Sequence, residues 1–509
     1  MSTELSSFPG GLVLDGQKKR STHDAIRKTP LSKKLILPLQ QHIGEASTPV
    51  VNVGDKVLKG QRIAKAEGHV SVYLHAPSSG VVVAIDEQPI PHPSGLSALC
   101  ITIETDGEEQ WQKQNPISDF KTLSQHEIRQ HIREAGIVGM GGAGFPSFIK
   151  LNPGVHHAVE TLILNGVECE PYITCDDMLM RERAEGILDG VEIMRYALRV
   201  KNCMIVIEDN KPEAIVAMES ALAKRKQLDD TKIVVIPTRY PTGSEKQLIQ
   251  VVTGRQVPSR GLPIDLGIVC HNVGTSYAIG RAILHDEPLI SRIVTVTGTD
   301  VQHAGNFETL FGTPMSELLE FCNTQREANE PFILGGPMMG YNLSGDHLPI
   351  TKTANCILVG VDNAAPKTDP LPCIRCGDCA TACPVSLLPQ QLYWHSRAKD
   401  LDKTREYNLF DCIECGCCSY VCPSNIPLVH YFRFAKTETM NQEIEAEKAD
   451  NARLRHENRL DRQELEKKEK EQRQRQRKLA LAATKAAKEK AAAEAEAASA
   501  SAPNDNQEK

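Results

Sequence analysis

Two copies of one cysteine spacing constrain this chain more than any other feature. Cys373, Cys376, Cys379 and Cys383 precede Pro384, and Cys412, Cys415, Cys418 and Cys422 precede Pro423. Each copy reads C-x2-C-x2-C-x3-C-P, and the second repeats the first 39 residues later. Thiolates three residues apart on a tight loop, with Gly377 and Gly416 supplying small residues, converge on three corners of an iron–sulfur cube. The fourth cysteine of each copy turns away and ligates the other cluster. The predicted sets are Cys373, Cys376, Cys379 with Cys422, and Cys412, Cys415, Cys418 with Cys383, each holding one [4Fe–4S] cluster. Zinc sites pair two C-x2-C knuckles across a longer loop, which this arrangement fits poorly. The residues between the copies have helical composition, so an α-helical double-cluster ferredoxin-like module is expected over 366–436.

The chain has 16 cysteines. Cys417 lies out of register within the second loop, and Cys100, Cys169, Cys175, Cys203, Cys270, Cys322 and Cys356 are scattered, as buried core cysteines are. The N-terminus MSTELSSFPGG lacks the basic and apolar regions of an export signal, so the thiols are expected in a reducing compartment and not in a disulfide scaffold. No apolar run approaches the roughly 18–20 residues needed to span a bilayer. A net charge of −7 gives no reason to expect nucleic acid as a partner.

At about 150 residues per domain, 509 residues suggest roughly three domains. Residues 31–105 read as short strands with turns at Gly54-Asp55, Lys59-Gly60 and Ser78-Ser79-Gly80, a β-sandwich assigned to 1–110. From 122 to 285, a helix opened by Ser124 and Glu127 as a capping box leads into alternating elements. TLILN, CMIVIE and KIVVIP are short unbroken apolar runs separated by helical stretches, which predicts a parallel sheet covered on both faces. Residues 290–350 return to β character around the helix MSELLEFC. Beyond 440 the chain is rich in Glu, Lys, Arg, Gln and Ala. Its leucines 454, 460 and 465 keep no 3.5-residue period, so a solvated, partly helical tail is expected over 440–509. The fold class is thus multidomain α/β plus β.

Three segments of the α/β region carry polar chemistry. GIVGMGGAGFPSFIK contains Gly139, Gly141 and Gly144 at G-x-G-x-x-G spacing, but a helix precedes it where a dinucleotide fingerprint needs a strand. Gly141, Gly142 and Gly144 let the backbone approach a phosphate or flat ring, Pro146 suits a helix start, and Lys150 adds a cation; a packing turn would also use such glycines. Asn165, Glu168 and Glu170 follow the first strand, where open α/β sheets bind ligands, although a solvated acidic loop reads the same. Tyr240-Pro-Thr-Gly243-Ser-Glu245 follows a later strand.

Taken together, GMGGAGFPSFIK, LNGVECEP, YPTGSE and HNV resemble the NADH- and FMN-binding subunit of respiratory complex I. With a β-sandwich before them and the double cysteine module after, residues 1–436 resemble the C-subunit family of the Rnf (Rsx) ion-translocating electron-transport complexes. The resemblance implies non-covalent FMN held by Gly139, Gly141, Gly142, Gly144 and Lys150. Asn165, Glu168 and Tyr240 would contact its ring or ribityl chain, and Phe145, Glu170 and Glu245 would line the nicotinamide side. It also implies a soluble-ligand-binding β-grasp domain at 290–350 and a sandwich of biotinyl/lipoyl type. The stretch AEGHVSVYLHA lacks the lysine that would be modified there, so no covalent cofactor is expected. Val167 and Ser244 stand where the complex I subunit has acids, which implies a less acidic flavin pocket.

The expected function is that of an oxidoreductase subunit passing electrons between NAD(H), FMN and two clusters. The implied setting is peripheral, on the cytoplasmic face of the bacterial inner membrane. The implied partners are integral-membrane and iron–sulfur subunits of the same complex and a ferredoxin-type carrier. A soluble NADH diaphorase and a non-catalytic cluster-bearing adaptor are the competing readings.

Overall fold

Strands buried on both faces need no polar alternation, and the unbroken apolar runs of the central region become such strands. In the computed structural model, which describes residues 5–154, 158–325, 330–343, 345–361 and 369–500, they are Thr161–Gly166, Asn202–Glu208 and Thr231–Ile236. A fourth strand, Ile268–Asn272, joins them in an all-parallel sheet. Its spatial order is Thr231–Ile236, Asn202–Glu208, Thr161–Gly166, Ile268–Asn272. Successive side chains serve opposite faces: Leu162 and Leu164 join the large core under the helices Cys175–Leu198 and Val273–His285, while Ile163 joins a second core with Leu248 and Ile249.

The two helices on the first face approach closely because their contact is lined with small residues. A Cβ on Gly190 would collide with the Ser276 carbonyl oxygen, and one on Gly280 would sit 3.0 Å from the Gly186 carbonyl oxygen. Upstream, Gln125–Glu134 begins at the Ser124–Glu127 capping box, both halves of which are formed.

The N-terminal sandwich has two sheets. Lys34–Pro38, Ser97–Thr105, Gly80–Pro89 and Lys56–Val57 form one, and Thr48–Pro49, Arg62–Lys65 and Leu74–His75 the other. Leu37, Ile63, Val82, Ile101 and Ile103 are buried together in the core. Within the region assigned to 1–110, the strands of the sandwich begin at Lys34. Residues 8–28 run along other parts of the molecule, and Arg27–Lys28 pairs with Gly305–Leu310.

A mixed six-stranded sheet follows, ordered Arg27–Lys28, Gly305–Leu310, Ser291–Gly298, Cys356–Val359, Phe332–Leu334, Tyr341–Leu343, with the helix Met315–Phe321. Its boundary exceeds 290–350 because Cys356–Val359 is a central strand, parallel to Ser291–Gly298 and antiparallel to Phe332–Leu334. The cysteine-bearing region, described from 369 onward, is made of short helices, among them Asp378–Thr381, Pro389–Arg397, Leu401–Glu406 and Cys417–Tyr420.

Two units divide the chain, Met1–Ala435 and Lys436–Lys509. The helix Leu428–Ala500 runs into the second unit, whose described side chains are nearly all exposed, leucines 454, 460, 465, 479 and 481 included. Residues 501–509 of the expected tail and 366–368 of the expected cluster module lie outside the described residues. No described helix is long and apolar enough to cross a membrane.

Replacing Gly190 by Ala tests the helix contact. Alanine gains about 1 kcal/mol of helix propensity, but overpacking against a backbone carbonyl costs on the order of 1–3 kcal/mol or more. A lower thermal midpoint is expected; a higher one would mean that the helices part freely.

Candidate functional site

The carboxyl ends of Thr161–Gly166 and Ile268–Asn272 meet at Asn165 and Asn272, which are partners across the sheet. The chain leaves Thr161–Gly166 toward one edge of the sheet and returns to place Ile268–Asn272 on its other side. Loops diverge at such a switch point and leave a crevice in which open α/β sheets bind ligands. Here it is a cavity of about 540 Å³. Gly139, Gly141, Gly142 and Phe145 line it, together with Lys150, Asn165, Glu168, Glu170, Tyr240 and Glu245.

Gly144 does not line the cavity, contrary to expectation. It adopts φ +64, and a Cβ there would lie 2.8 Å from Thr353 Cγ2, so this glycine serves packing. Its carbonyl accepts from the Ile43 N–H of the sandwich at 3.2 Å. Gly142, at φ +107, would have nothing within 4 Å of a Cβ and presents bare backbone. The helix after Pro146 is a single turn, Ser147–Lys150, so the anion-favouring field of a longer helix is not available.

Most of the polar side chains in the wall are already engaged. Lys150 Nζ donates to the Glu245 carboxylate at 2.5 Å and to the Cys270 carbonyl at 3.0 Å. Burial opposes its charge, but the Glu245 carboxylate more than offsets this and leaves the pKa above its ordinary value. Asn165 donates through Nδ2 to the Gly243 carbonyl at 2.8 Å and accepts from the Val167 N–H at 3.1 Å. The Glu168 carboxylate accepts from the N–H groups of Asp176 at 2.7 Å and Asp177 at 3.2 Å, capping the helix Cys175–Leu198, whose own N-cap Thr174 makes no side-chain cap. Glu170 accepts from the N–H groups of Met338 at 2.6 Å and Met339 at 3.0 Å, tying the segment to the six-stranded-sheet region. Both glutamates line the cavity, yet their oxygens hold backbone.

Other wall residues carried little signal in the sequence. Asn272 accepts from the Gly274 N–H at 2.8 Å, capping the helix Val273–His285, and donates to Asp176 at 2.5 Å; the HNV triplet was its only trace. Burial, with the Glu168 carboxylate alongside, pushes the Asp176 carboxyl up to about 7. Ser147 Oγ and His271 Nε2 are buried in the wall with no hydrogen-bond partner among the described residues. Buried polar atoms left unpaired cost stability unless something satisfies them. A roomy cavity at the switch point, a bare glycine backbone and two orphaned polar atoms fit a polar, ring-bearing cofactor such as FMN.

The eight repeat cysteines fall into two groups. Cys373, Cys376, Cys379 and Cys422 line one small cavity, and Cys383, Cys412, Cys415 and Cys418 line another. Each group thus contains three cysteines of one copy and the fourth of the other. The backbone repeats with the sequence: Arg375, Gly377 and Ser386 have positive φ, as do Glu414, Gly416 and Asn425, each 39 residues later. Left-handed residues in such loops turn successive N–H groups inward, as loops around anionic clusters do. Four thiols around each void match the donor set of an iron–sulfur cluster. Cys417 is fully buried beside Cys415.

The large cavity and the second group share a wall. Cys415 and Ile413 line the large cavity, and the buried Tyr240 hydroxyl donates to the Cys415 carbonyl at 2.6 Å.

Comparison with known proteins matches three parts of the chain. Residues 132–281 match the Nuo51 FMN-binding domain, 6–108 the RnfC barrel sandwich hybrid domain, and 372–426 a 4Fe-4S dicluster domain. The C subunit of an ion-translocating oxidoreductase complex from Pseudomonas aeruginosa is 50% identical over 89% of this chain and 58% of its own length. Its counterpart from Vibrio cholerae is 47% identical over 92% of this chain and 60% of its own. That from Haemophilus influenzae strain 86-028NP is 45% identical over 91% of this chain and 70% of its own. The chain therefore spans roughly three fifths of the length of the first two. An NAD+-reducing [NiFe]-hydrogenase in the air-oxidized state covers 56% of this chain and 55% of its own at 18% identity and TM-score 0.45, a likeness too loose to bear on the site.

The Asp176 carboxyl yields a pH prediction. Its folded pKa of about 7 exceeds the ordinary 3.8, so its ionisation erodes stability as pH rises across that window. Asp176→Asn keeps an oxygen for Asn272 and removes the charge. The thermal midpoint of the variant relative to the parent should rise between pH 5 and pH 8; a difference independent of pH would contradict the assignment.

Proposed function

Because the chain belongs to the C-subunit family of ion-translocating oxidoreductase complexes, we propose that it passes electrons between NAD(H) and such a complex through FMN and two [4Fe–4S] clusters. The observation that carries this reading is one cavity whose walls include both the glycine-rich loop and Cys415 of the second cysteine group. When bound, FMN supplies the conversion between a two-electron hydride and single electrons, and the clusters accept those electrons one at a time.

The protein's own groups have distinct parts in this proposal. The backbone at Gly139, Gly141 and Gly142 would lie against the flavin, and Lys150, held by Glu245, would supply positive charge to it. Asn165 would present its amide edge from a fixed position, since Gly243 and Val167 hold it. Ser147 and His271 would gain the hydrogen-bond partners they lack. Phe145, Glu170 and Glu245 would border the nicotinamide. Cys373, Cys376, Cys379 and Cys422 would hold one cluster, and Cys383, Cys412, Cys415 and Cys418 the other, with the second group nearer the flavin.

The sheet-plus-helix region around 290–359 would be a soluble-ligand-binding β-grasp domain, and the N-terminal sandwich would be of biotinyl/lipoyl type without a covalent cofactor. The chain would sit peripherally on the cytoplasmic face of the inner membrane. Integral-membrane and iron–sulfur subunits would carry out ion movement and exchange electrons with a ferredoxin-type carrier.

Anaerobic purification with iron and flavin assays tests the cofactor content: about eight irons and one FMN per chain are expected from two four-iron clusters and one flavin. Four irons or none, or a chain that takes up no FMN, would contradict the reading. Lys150→Ala should weaken FMN retention, measured by fluorescence of the released flavin, and unchanged occupancy would count against its role. Cys422→Ser should alter the paramagnetic signal of the cluster held with Cys373, Cys376 and Cys379 and spare the other. Loss of the other cluster alone would refute the crossed assignment.

A further inference from the structure

The segment from Phe8 to Lys18 has no part in the function above, yet it is wedged between the flavin cavity's wall and the second cysteine group. Phe8 is buried in the core beneath the parallel sheet with Leu248 and Ile249. The Gly11 N–H donates to the Ala382 carbonyl at 3.0 Å, immediately before Cys383. Leu12 and Tyr240 exchange both backbone hydrogen bonds at 2.8 Å each, and the Arg239 guanidinium donates to the Gly10 carbonyl. Leu12 and Leu14 pack into an apolar cluster with Tyr240, Ala382, Cys415 and Cys417. Further on, Lys18 Nζ donates to three carbonyls of the acidic segment: Glu168 at 2.6 Å, Glu170 at 2.8 Å and Ile173 at 2.6 Å. One short stretch therefore grips Tyr240, the loop before Cys383 and the backbone carrying Glu168 and Glu170.

Two glycines make this fit possible. Gly10 and Gly11 adopt φ +59 and φ +74, the left-handed region that disfavours side chains. A Cβ on Gly10 would lie 2.5 Å from the Cys383 carbonyl oxygen, and one on Gly11 would lie 2.7 Å from the Tyr240 carbonyl oxygen. Both obstacles are backbone, so an added side chain must displace the cysteine-bearing loop or the Tyr240 segment. These are the two pieces between which the proposed electron path would run.

We propose that Phe8–Lys18 is a positioning strap that sets the distance between the flavin cavity and the group Cys383, Cys412, Cys415 and Cys418, with Gly10 and Gly11 as its contact points. The proposal rests on the cavity taking FMN and that group taking a cluster. With both groups bound, the reduced flavin would be the one-electron donor and the cluster the acceptor; the strap's residues would only hold the two walls apart at a fixed spacing, making and breaking no bond and carrying no proton. Burial of Phe8 anchors the strap, whereas Gly10, Gly11 and Leu12 act on the spacing.

The test uses the full chain with FMN and both clusters in place. After rapid mixing with NADH, flavin reduction is followed by absorbance, and cluster reduction by freeze-quench electron paramagnetic resonance. Gly10→Val should reduce its flavin at the parent's rate, keep its iron and flavin, and reduce its clusters more slowly by roughly 10- to 100-fold, the scale on which ångström misplacements act in positioned reactions. Cluster reduction at the parent's rate would overturn the proposal. Should this variant lose its clusters, Leu12→Ala decides, since it removes contact without intruding on Cys383: slowed transfer supports the strap and unchanged transfer refutes it. Flavin reduced by light with an amine donor enters the same comparison without NADH. A parent chain that NADH fails to reduce would therefore contradict the proposed function, while the light-driven arm still decides for or against the strap.

Discussion

The hydrogen bond from the buried Tyr240 hydroxyl to the Cys415 carbonyl joins two parts of the molecule that the chain builds 175 residues apart. Tyr240 belongs to the wall of the cavity at the sheet's switch point, and Cys415 to the second cysteine loop. A buried hydroxyl and carbonyl are each costly to leave unpaired, so moving either element would expose that cost. The apolar cluster around them also includes Met338, Ala382 and Cys417. Much of the first unit can be understood as support for this junction. The parallel sheet fixes one side, the short helices of the cysteine repeat fix the other, and the N-terminal segment threads between them.

Polar groups around the cavity divide into those that hold backbone and those left over. Glu168 caps a helix, Glu170 gathers two N–H groups from another region, Asn165 closes onto Gly243, and Asn272 caps a second helix. Such engaged groups keep the cavity's shape before any ligand arrives, which lowers the ordering cost of binding. Ser147 and His271 remain buried without partners among the described residues. A wall built this way is rigid in outline with few free hydrogen-bonding atoms, suited to a cofactor retained through many turnovers.

The cysteine repeat was the most legible feature because a metal cluster demands a fixed spacing, and the backbone repeats at the same 39-residue interval in Arg375 and Glu414, Gly377 and Gly416, Ser386 and Asn425. The parallel strands were legible for a related reason: burial on both faces leaves an unbroken apolar run. The fourth strand, Ile268–Asn272, was hidden in a short IVCHN. The strap was hidden as well, since its pairing with Tyr240 and Ala382 is long-range and leaves no periodic trace in a stretch such as PGGLVL. Gly144 looked like a ligand-facing glycine, but the space it leaves is taken by Thr353. The central place of Cys356–Val359 in the mixed sheet likewise depends on a non-local pairing that local pattern does not encode.

In the proposed function, one cavity couples a two-electron donor to two one-electron carriers within this chain. The most direct test of this coupling is an anaerobic titration of the purified, cofactor-replete chain with NADH, monitored by flavin absorbance and low-temperature electron paramagnetic resonance. NADH should bleach the flavin, and cluster signals should appear in the same titration, with the signal from the Cys415-containing group tied to an intact Tyr240 junction. A bleached flavin beside clusters that stay oxidised, in a chain whose clusters a strong chemical reductant does reduce, would contradict it.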